Sequence, residues 1–369
     1  MINFALSEEQ EQIRDMLNAF ARNELGPRAR AADESRSAPA DLLDSAWGLG
    51  LTALSIPESY GGGGAPRSAM TSVLCLEAAG YGCSALAASS FASMLFVNPL
   101  VDLGSDEQKE KHLPLFCSDR RRIATIAAHE SGFSSDLVNI KTTAVLTAEG
   151  WRISGRKRLA PMGRHASEAL VLARVGPLAG AQGVKAFIVP LDIPGVTVVA
   201  EVGAIGLNAL EFAEIKLNDV VLPRTAILGG GEGADIRPLL ASMRIGGAAL
   251  AVGVARSVTD FAIPYAKERI AFGSPIAKKQ AIAFMLAEMR VECDAMRWMV
   301  WKAAAEYDGG RDATKAAVLA QNYINRRALK VADDGLQIFG GHGYIRDLPL
   351  EMWLRNVRAL TIHEALAAA

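Results

Sequence analysis

The sequence predicts an α+β protein in three parts: an N-terminal α-helical domain (residues 1–120), a middle β-barrel or sandwich domain (121–228) and a C-terminal four-helix bundle (232–369). Three observations carry this. Apolar residues recur at helical spacing up to about residue 120, at a period of two from Arg122 to about Leu222, and at helical spacing again from about Asp235. Gly, Pro and Asn separate the period-two stretches, and Gly229-Gly230-Gly231 supplies a linker after Pro223. A chain of 369 residues that is 50% hydrophobic can bury the cores of two or three domains.

In the first part, Ser7-Glu8-Glu9-Gln10 reads as a capping box, with the serine hydroxyl serving one orphan N–H and Gln10 reaching back to another. Ile13, Leu17 and Phe20 then fall on one helical face. Leu42, Leu43, Ala46 and Trp47 mark a second helix stopped near Gly48 and Gly50, and Pro57 to Gly64 is a loop. Helices are expected over 67–80 and 84–103, and Ser105-Asp106-Glu107-Gln108 opens a short one that Pro114 ends. The uncharged run from Ser84 to Val101 carries four serines, Asn98 and Pro99, so a buried helix is expected rather than a membrane span.

In the second part, Thr142–Thr147, a Glu149-Gly150 turn and Trp151–Lys157 read as a hairpin. Strands over 169–175, 184–190, 196–202 and 212–222 continue it into a small antiparallel barrel or sandwich. In the third part, helices over 235–269, 280–307, 312–339 and 350–366 form an antiparallel bundle. Pro264 lies inside the first of these and predicts a kink or a break.

Composition excludes several function classes. With 39 basic and 40 acidic residues, no global field draws nucleic acid or an anionic membrane. Cys75, Cys83, Cys117 and Cys293 show no metal or redox spacing and the first residues show no secretory pattern, so reduced thiols in a cytoplasmic protein are expected. The five histidines lack the pairing of a zinc helix, no G-x-S-x-G is present, and no metal is expected.

Gln337-Ile338-Phe339-Gly340-Gly341-His342-Gly343-Tyr344 follows a helical pattern, and by itself it reads as a helix-ending turn. Upstream stand Arg269, Phe272, Gly273, Pro275, Ile276 and Gln280. Together these stretches resemble the acyl-CoA dehydrogenase family, with its R-x-x-F-G-x-P-I-x-x-x-Q and Q-x-x-G-G-x-G-Y, and the resemblance runs over essentially the whole chain.

The resemblance implies an acyl-CoA substrate, FAD, and an electron-transferring flavoprotein as electron acceptor. In the implied reaction a carboxylate takes the α proton of an acyl thioester while the β hydrogen leaves as hydride to FAD. The family's usual Tyr-Glu-Gly is matched by His363-Glu364-Ala365, which makes Glu364 the candidate base; a solvated Glu is the plain reading. A minority of the family places the base just before an Arg on the first helix of the third domain. There this chain has Met243-Arg244, and a thioether accepts no proton. Arg244 is then a guanidinium near the thioester or its neighbouring acid, or a surface charge.

The family's flavin site is shared between two subunits. The implied cross-subunit set is intact here: Arg269 for the pyrophosphate, Phe272 on the adenine side, Gln280, Gln337, and Gly340 and Gly341 for close backbone approach. Lys278-Lys279 beside Gln280 reads as a solvated face or as an attractor for a phosphate of FAD. The set for the chain's own flavin is altered. Thr-Glu-Pro-x-x-Gly-Ser-Asp is matched by residues 129–136, keeping Glu130, Asp136 and the substrate-side Ser135 but with His129 for the threonine. The aromatic-Ile-Thr/Ser reads Leu159-Ala160-Pro161, and Ala365-Leu366-Ala367-Ala368 stands where Gly-Thr and a Gln are usual. This one-sided loss is similar to heterotetrameric (α2β2) acyl-CoA dehydrogenases of steroid side-chain catabolism, in which a paralogous subunit pairs and half the flavin sites are filled. The alternatives are a homo-oligomer, or a catalytically silent assembly or acyl-CoA-binding subunit. Ala85, Ala87, Ala88, Ser89, Ser90 and Ala92 are compatible with a roomy acyl cleft or with tight helix packing.

Overall fold

The computed structural model describes residues 5–132, 136–201 and 204–369. Helices α1 (Glu8–Phe20), α2 (Gly26–Ser35), α3 (Ala40–Gly48), α4 (Leu51–Leu54), α5 (Ala69–Ser90), α6 (Met94–Leu103) and α7 (Asp106–His112) make up the first part. The capping box forms: Ser7 Oγ accepts the Gln10 N–H at 3.2 Å and the Gln10 side-chain Oε1 accepts the Ser7 N–H at 3.1 Å. The same motif starts α7 at Ser105 and Gln108. Helix α2, joined to α1 by the π-turn Ala21–Leu25, was not foreseen. The expected boundary between Gly80 and Ser84 survives only as a local break at Cys83 (φ −165°, ψ 114°), and α5 continues to Ser90.

Both α5 and α8 (Arg237–Glu268) are long and apolar enough to cross a membrane by composition, yet 78% and 83% of their most apolar stretches are buried inside the protein. They lie against each other. A Cβ at Gly253 would stand 2.3 Å from the Glu77 carbonyl oxygen, and one at Gly80 would stand 2.6 Å from that of Leu250, so two glycines permit this crossing. The buried Glu77 carboxylate ties the layers together, accepting from Arg256 of α8 at 2.7 Å and from Arg297 at 2.5 Å.

The middle part is one seven-stranded sheet: β1 (Ala124–Ala127), β2 (Thr143–Leu146), β3 (Trp151–Pro161), β4 (Glu168–Val175), β5 (Val184–Pro190), β6 (Val196–Ala200) and β7 (Phe212–Leu222). It is mixed, which corrects the expectation of an antiparallel arrangement. Strand β5 covers one edge of β4, while β1 and then β2 share its other edge, both parallel to it. The chain crosses from β1 to β2 without reversing, and a period of two carries no information about direction.

Helices α8, α9 (Gln280–Asp308), α10 (Thr314–Phe339) and α11 (Leu350–Leu360) form the third part. Helix α8 runs through Pro264 to Glu268, so of the kink or break expected there the break does not occur. Its buried face holds the helix across the one missing hydrogen bond. Helix α11 stops at Leu360 rather than Leu366, because the following residues turn into the interior and bond to other elements. A short hairpin, β8 (Ile270–Ala271) and β9 (Ser274–Pro275), joins α8 to α9.

Candidate functional site

Two clusters of the singled-out residues take shape, one open and one closed. In the open one, the hairpin after α8 carries Phe272 (φ 52°) and Gly273 (φ 78°) at its two-residue turn. Both angles are positive, as a tight right-twisted hairpin demands, and Phe is a costly residue to hold there. Phe272 is 96% exposed, so nothing within the chain repays that conformation. The Ile276 N–H donates to the Arg269 carbonyl oxygen at 2.9 Å and closes the hairpin.

At the end of α10 the backbone turns at Gly340 (φ 56°, ψ −134°), and the Gln337 amide donates to the Tyr344 hydroxyl at 2.5 Å. Arg269, Gln337, Gly340 and Gly341 line one open cavity of about 470 Å³ over a stacked Tyr265–Phe339 pair with ring centroids 3.8 Å apart. The Arg269 guanidinium makes no ion pair or hydrogen bond among the described residues. A Cβ added at Gly273, Gly340 or Gly341 would meet nothing within 4 Å, so packing inside this chain does not explain the glycine at 341. Gln280 begins α9 and is exposed; Gln280 and Phe272 lie outside the lining of the cavity.

The closed cluster gathers His129, His363, Phe212 and Glu364. The His129 and His363 rings meet edge to face at 5.8 Å, and Phe212 lies 5.5 Å from His363. Burial, with His363 and Lys157 adding to it, drives the His129 pKa down to about 3, and burial alone lowers His363 to about 4. Both rings are neutral near pH 7, and His129 Nε2 accepts the backbone N–H of Glu364 at 3.2 Å. The Glu364 carboxylate pairs with Arg244 at 3.1 Å. Of the three places open to Arg244, the structure gives the neighbouring acid, and Met243 is fully buried beside it.

Leu159-Ala160-Pro161 ends β3 at a register shift, with Leu159 at φ 55°. The Leu159 N–H donates to Glu201 at 2.7 Å, and the Pro161 carbonyl oxygen accepts from Thr125 at 2.6 Å. Glu130 is likewise consumed internally. It accepts from the Lys141 and Thr142 amides, the Thr142 hydroxyl and the fully buried Lys157 at 2.6–2.9 Å. Burial would raise the Glu130 pKa, but these partners outweigh it and hold it below the usual carboxylate range. Burial lowers Lys157 to about 8. Ser135 lies outside the described residues.

Sequence reasoning missed Lys157 and the three side chains that receive the segment after Glu364: Asn98, Ser242 and Arg67. Its one signal was that Ala365 to Ala369 is wholly apolar.

Profiles of three domains match the chain: acyl-CoA dehydrogenase N-terminal domain over residues 7–120, middle domain over 125–220 and C-terminal domain over 231–364. A probable acyl-CoA dehydrogenase of Bacillus subtilis is 34% identical over 368 residues, covering 98% of this chain and 96% of the relative. A caffeyl-CoA reductase-Etf complex subunit of Acetobacterium woodii is 34% identical over 363 residues, covering 97% and 95%. Among solved structures, butyryl-CoA dehydrogenase from Megasphaera elsdenii superposes with a TM-score of 0.89 at 29% identity, covering 99% of this chain and 96% of that one.

Proposed function

The chain belongs to the acyl-CoA dehydrogenase family of FAD-dependent oxidoreductases, and we propose that it serves as one subunit of a hetero-oligomer, completing the FAD site of a related chain. The observation that carries this is a contrast. The cross-subunit set stands open, with the Arg269 guanidinium unpaired among the described residues, while on the chain's own side His129, Ala160 and His363 are buried and Glu130 and Glu364 are bonded within the chain.

The open set fits the group. Arg269 offers a planar fork for pyrophosphate oxygens, the bare edges of Gly340 and Gly341 admit close backbone approach, and Phe272 presents an aromatic face. Gln337 lines the same cavity, and Gln280 begins α9 as an exposed side-chain amide. The closed set does not fit. A flavin ring facing 129, 159–161 and 363 would have to displace two histidine rings that are each at most 9% exposed, and Pro161 has no N–H to offer it. No step is derived there. FAD, when bound, accepts the hydride from the acyl β carbon; this chain's residues hold it in the neighbouring subunit.

Within this reading the divisions at 1–120, 121–228 and 232–369 stand as domains, Glu364 is a structural partner of Arg244, and the working base belongs to the neighbour. The Etf-complex relative supports an electron-transferring flavoprotein as acceptor, and a cytoplasmic location is part of the proposal. Ser135 keeps its substrate-side role in the proposal. A steroid side chain remains the proposed acyl class, and it would occupy the neighbour's cleft. In this chain Ala85, Ala87, Ala88, Ser89 and Ala92 are at most 3% exposed and pack helices instead of lining a cleft.

Glu364→Gln in the assembled enzyme tests the assignment. Dehydrogenation of acyl-CoA within about twofold of the unsubstituted rate agrees with it; abolished turnover makes Glu364 the base and contradicts it. A flavin-loaded assembly that turns over no acyl-CoA would instead favour the silent assembly or acyl-CoA-binding subunit, which the ion pair on Glu364 also fits.

A further inference from the structure

After Glu364 the chain does not run out over the surface. Ala365, Leu366, Ala367, Ala368 and Ala369 are irregular in conformation, and none is more than 4% exposed. Irregular segments avoid the interior because their backbone groups need partners there. Here side chains from three places supply partners at the far end of the segment. Asn98 of α6 donates to the Ala368 carbonyl oxygen at 3.3 Å, and Ser242 of α8 donates to that of Ala369 at 2.6 Å. Arg67, just before α5, donates to the same Ala369 oxygen, and the Ala369 N–H returns a bond to the Ser242 carbonyl at 3.1 Å.

The backbone of the segment lies directly on α8: a Cβ at Gly246 would stand 2.7 Å from the Ala367 carbonyl oxygen. Around it the walls are apolar. Leu95, Phe96, Leu239, Leu240 and Met243 form one core with Ala365 and Ala368. A narrow, apolar run of about 16 Å, if extended, therefore leads inward from the Glu364–Arg244 pair and ends at a guanidinium that is itself paired with Asp102 at 3.5 Å.

A substrate whose α carbon met Glu364 would find an apolar path for its aliphatic chain here. We propose that residues 365–369 are a resident plug, filling an internal channel that otherwise takes the unbranched aliphatic part of an acyl thioester. The inference rests on the family reading of Glu364. Small side chains at four of the five positions keep the segment slim, and the fixed polar groups of Asn98, Ser242 and Arg67 satisfy the carbonyls of Ala368 and Ala369 that a hydrocarbon would not carry.

The test compares the full chain with a variant lacking residues 365–369, using hexanoyl-CoA as probe in calorimetric titration and a cooperative thermal transition as proof of folding. The full chain is expected to show no saturable binding, and the shortened variant to bind hexanoyl-CoA saturably with one site per chain. Equal binding by both, or none by a folded shortened variant, overturns the proposal. Should the shortened variant not fold, hydrogen exchange on the full chain decides: the Ala369 amide is expected to be as protected as those of α8, and exchange at the rate of an exposed amide overturns the plug. Flavin retained by the assembled pair is a separate readout. Its loss would sink the proposed function, whereas hexanoyl-CoA binding by the intact chain would sink only the plug.

Discussion

The hairpin and glycine turn around Arg269 and Gly341 differ from the His129–Glu364 cluster in how their groups are satisfied. Arg269 and Phe272 have no partner among the described residues, and the glycine edges face open space. In the other region almost every polar group is spoken for: the Glu364 amide by His129, its carboxylate by Arg244, Glu130 by Lys157 and Thr142, and the Ala369 carbonyl by Ser242. Exposed groups in costly conformations have a reason outside the chain, whereas internally satisfied ones contribute to its fold. Substitutions in the closed region should therefore change stability, and those in the open region should change cofactor retention.

The largest effect is expected on acidification. The unfolded chain protonates His129 and His363 near pH 6.5, while the folded chain resists until about 3 and about 4. The unfolded state thus binds more protons between these limits, and stability falls as pH drops from 6.5 toward 4. The slope approaches about 2.7 kcal/mol per pH unit when both rings are involved. Denaturant titrations at several pH values measure it. His363→Phe, which removes a ring nitrogen with no partner, should roughly halve the slope; an unchanged slope would break the comparison on the closed side.

Next comes Lys157→Met, which strands the Glu130 carboxylate beside a buried methionine. A loss of about 3–5 kcal/mol in unfolding free energy is expected from breaking a buried pair. On the open side, Arg269→Ala should leave unfolding within about 0.5 kcal/mol of the parent while weakening FAD retention by the assembled enzyme about 10–100-fold, as for a lost charged hydrogen bond. Gly341→Ala should follow the same division with a smaller loss of FAD, since its added methyl meets only open space within this chain. Destabilisation by either open-side variant would mean that these residues serve this chain's own fold.

Much of this was legible in the sequence, and the exceptions share a physical cause. The capping boxes at Ser7 and Ser105 are local, and both form as read. Strands β5 and β7 match the expected bounds because their alternation ends at turn residues. The parallel placement of β1 and β2 on β4 was hidden, since periodicity has no direction. Pro264 marked a lost hydrogen bond correctly, but whether a helix tolerates that loss depends on what packs against it. His129 read as a missing threonine; its role as acceptor for the Glu364 amide requires the chain to bring residues 129 and 364 together. Likewise, Ala365 to Ala369 looked like a featureless apolar stretch, and only Asn98, Ser242 and Arg67, contributed by distant segments, give it a fixed path.

The central claim concerns which of two clefts carries cofactor, and flavin absorbance per polypeptide measures that directly. The chain purified alone should contain almost no FAD, and the chain assembled with a related subunit that keeps the threonine and the aromatic-Ile-Thr/Ser should contain one FAD for every two polypeptides. One FAD per polypeptide in the isolated chain, together with dehydrogenation of acyl-CoA, would contradict the account.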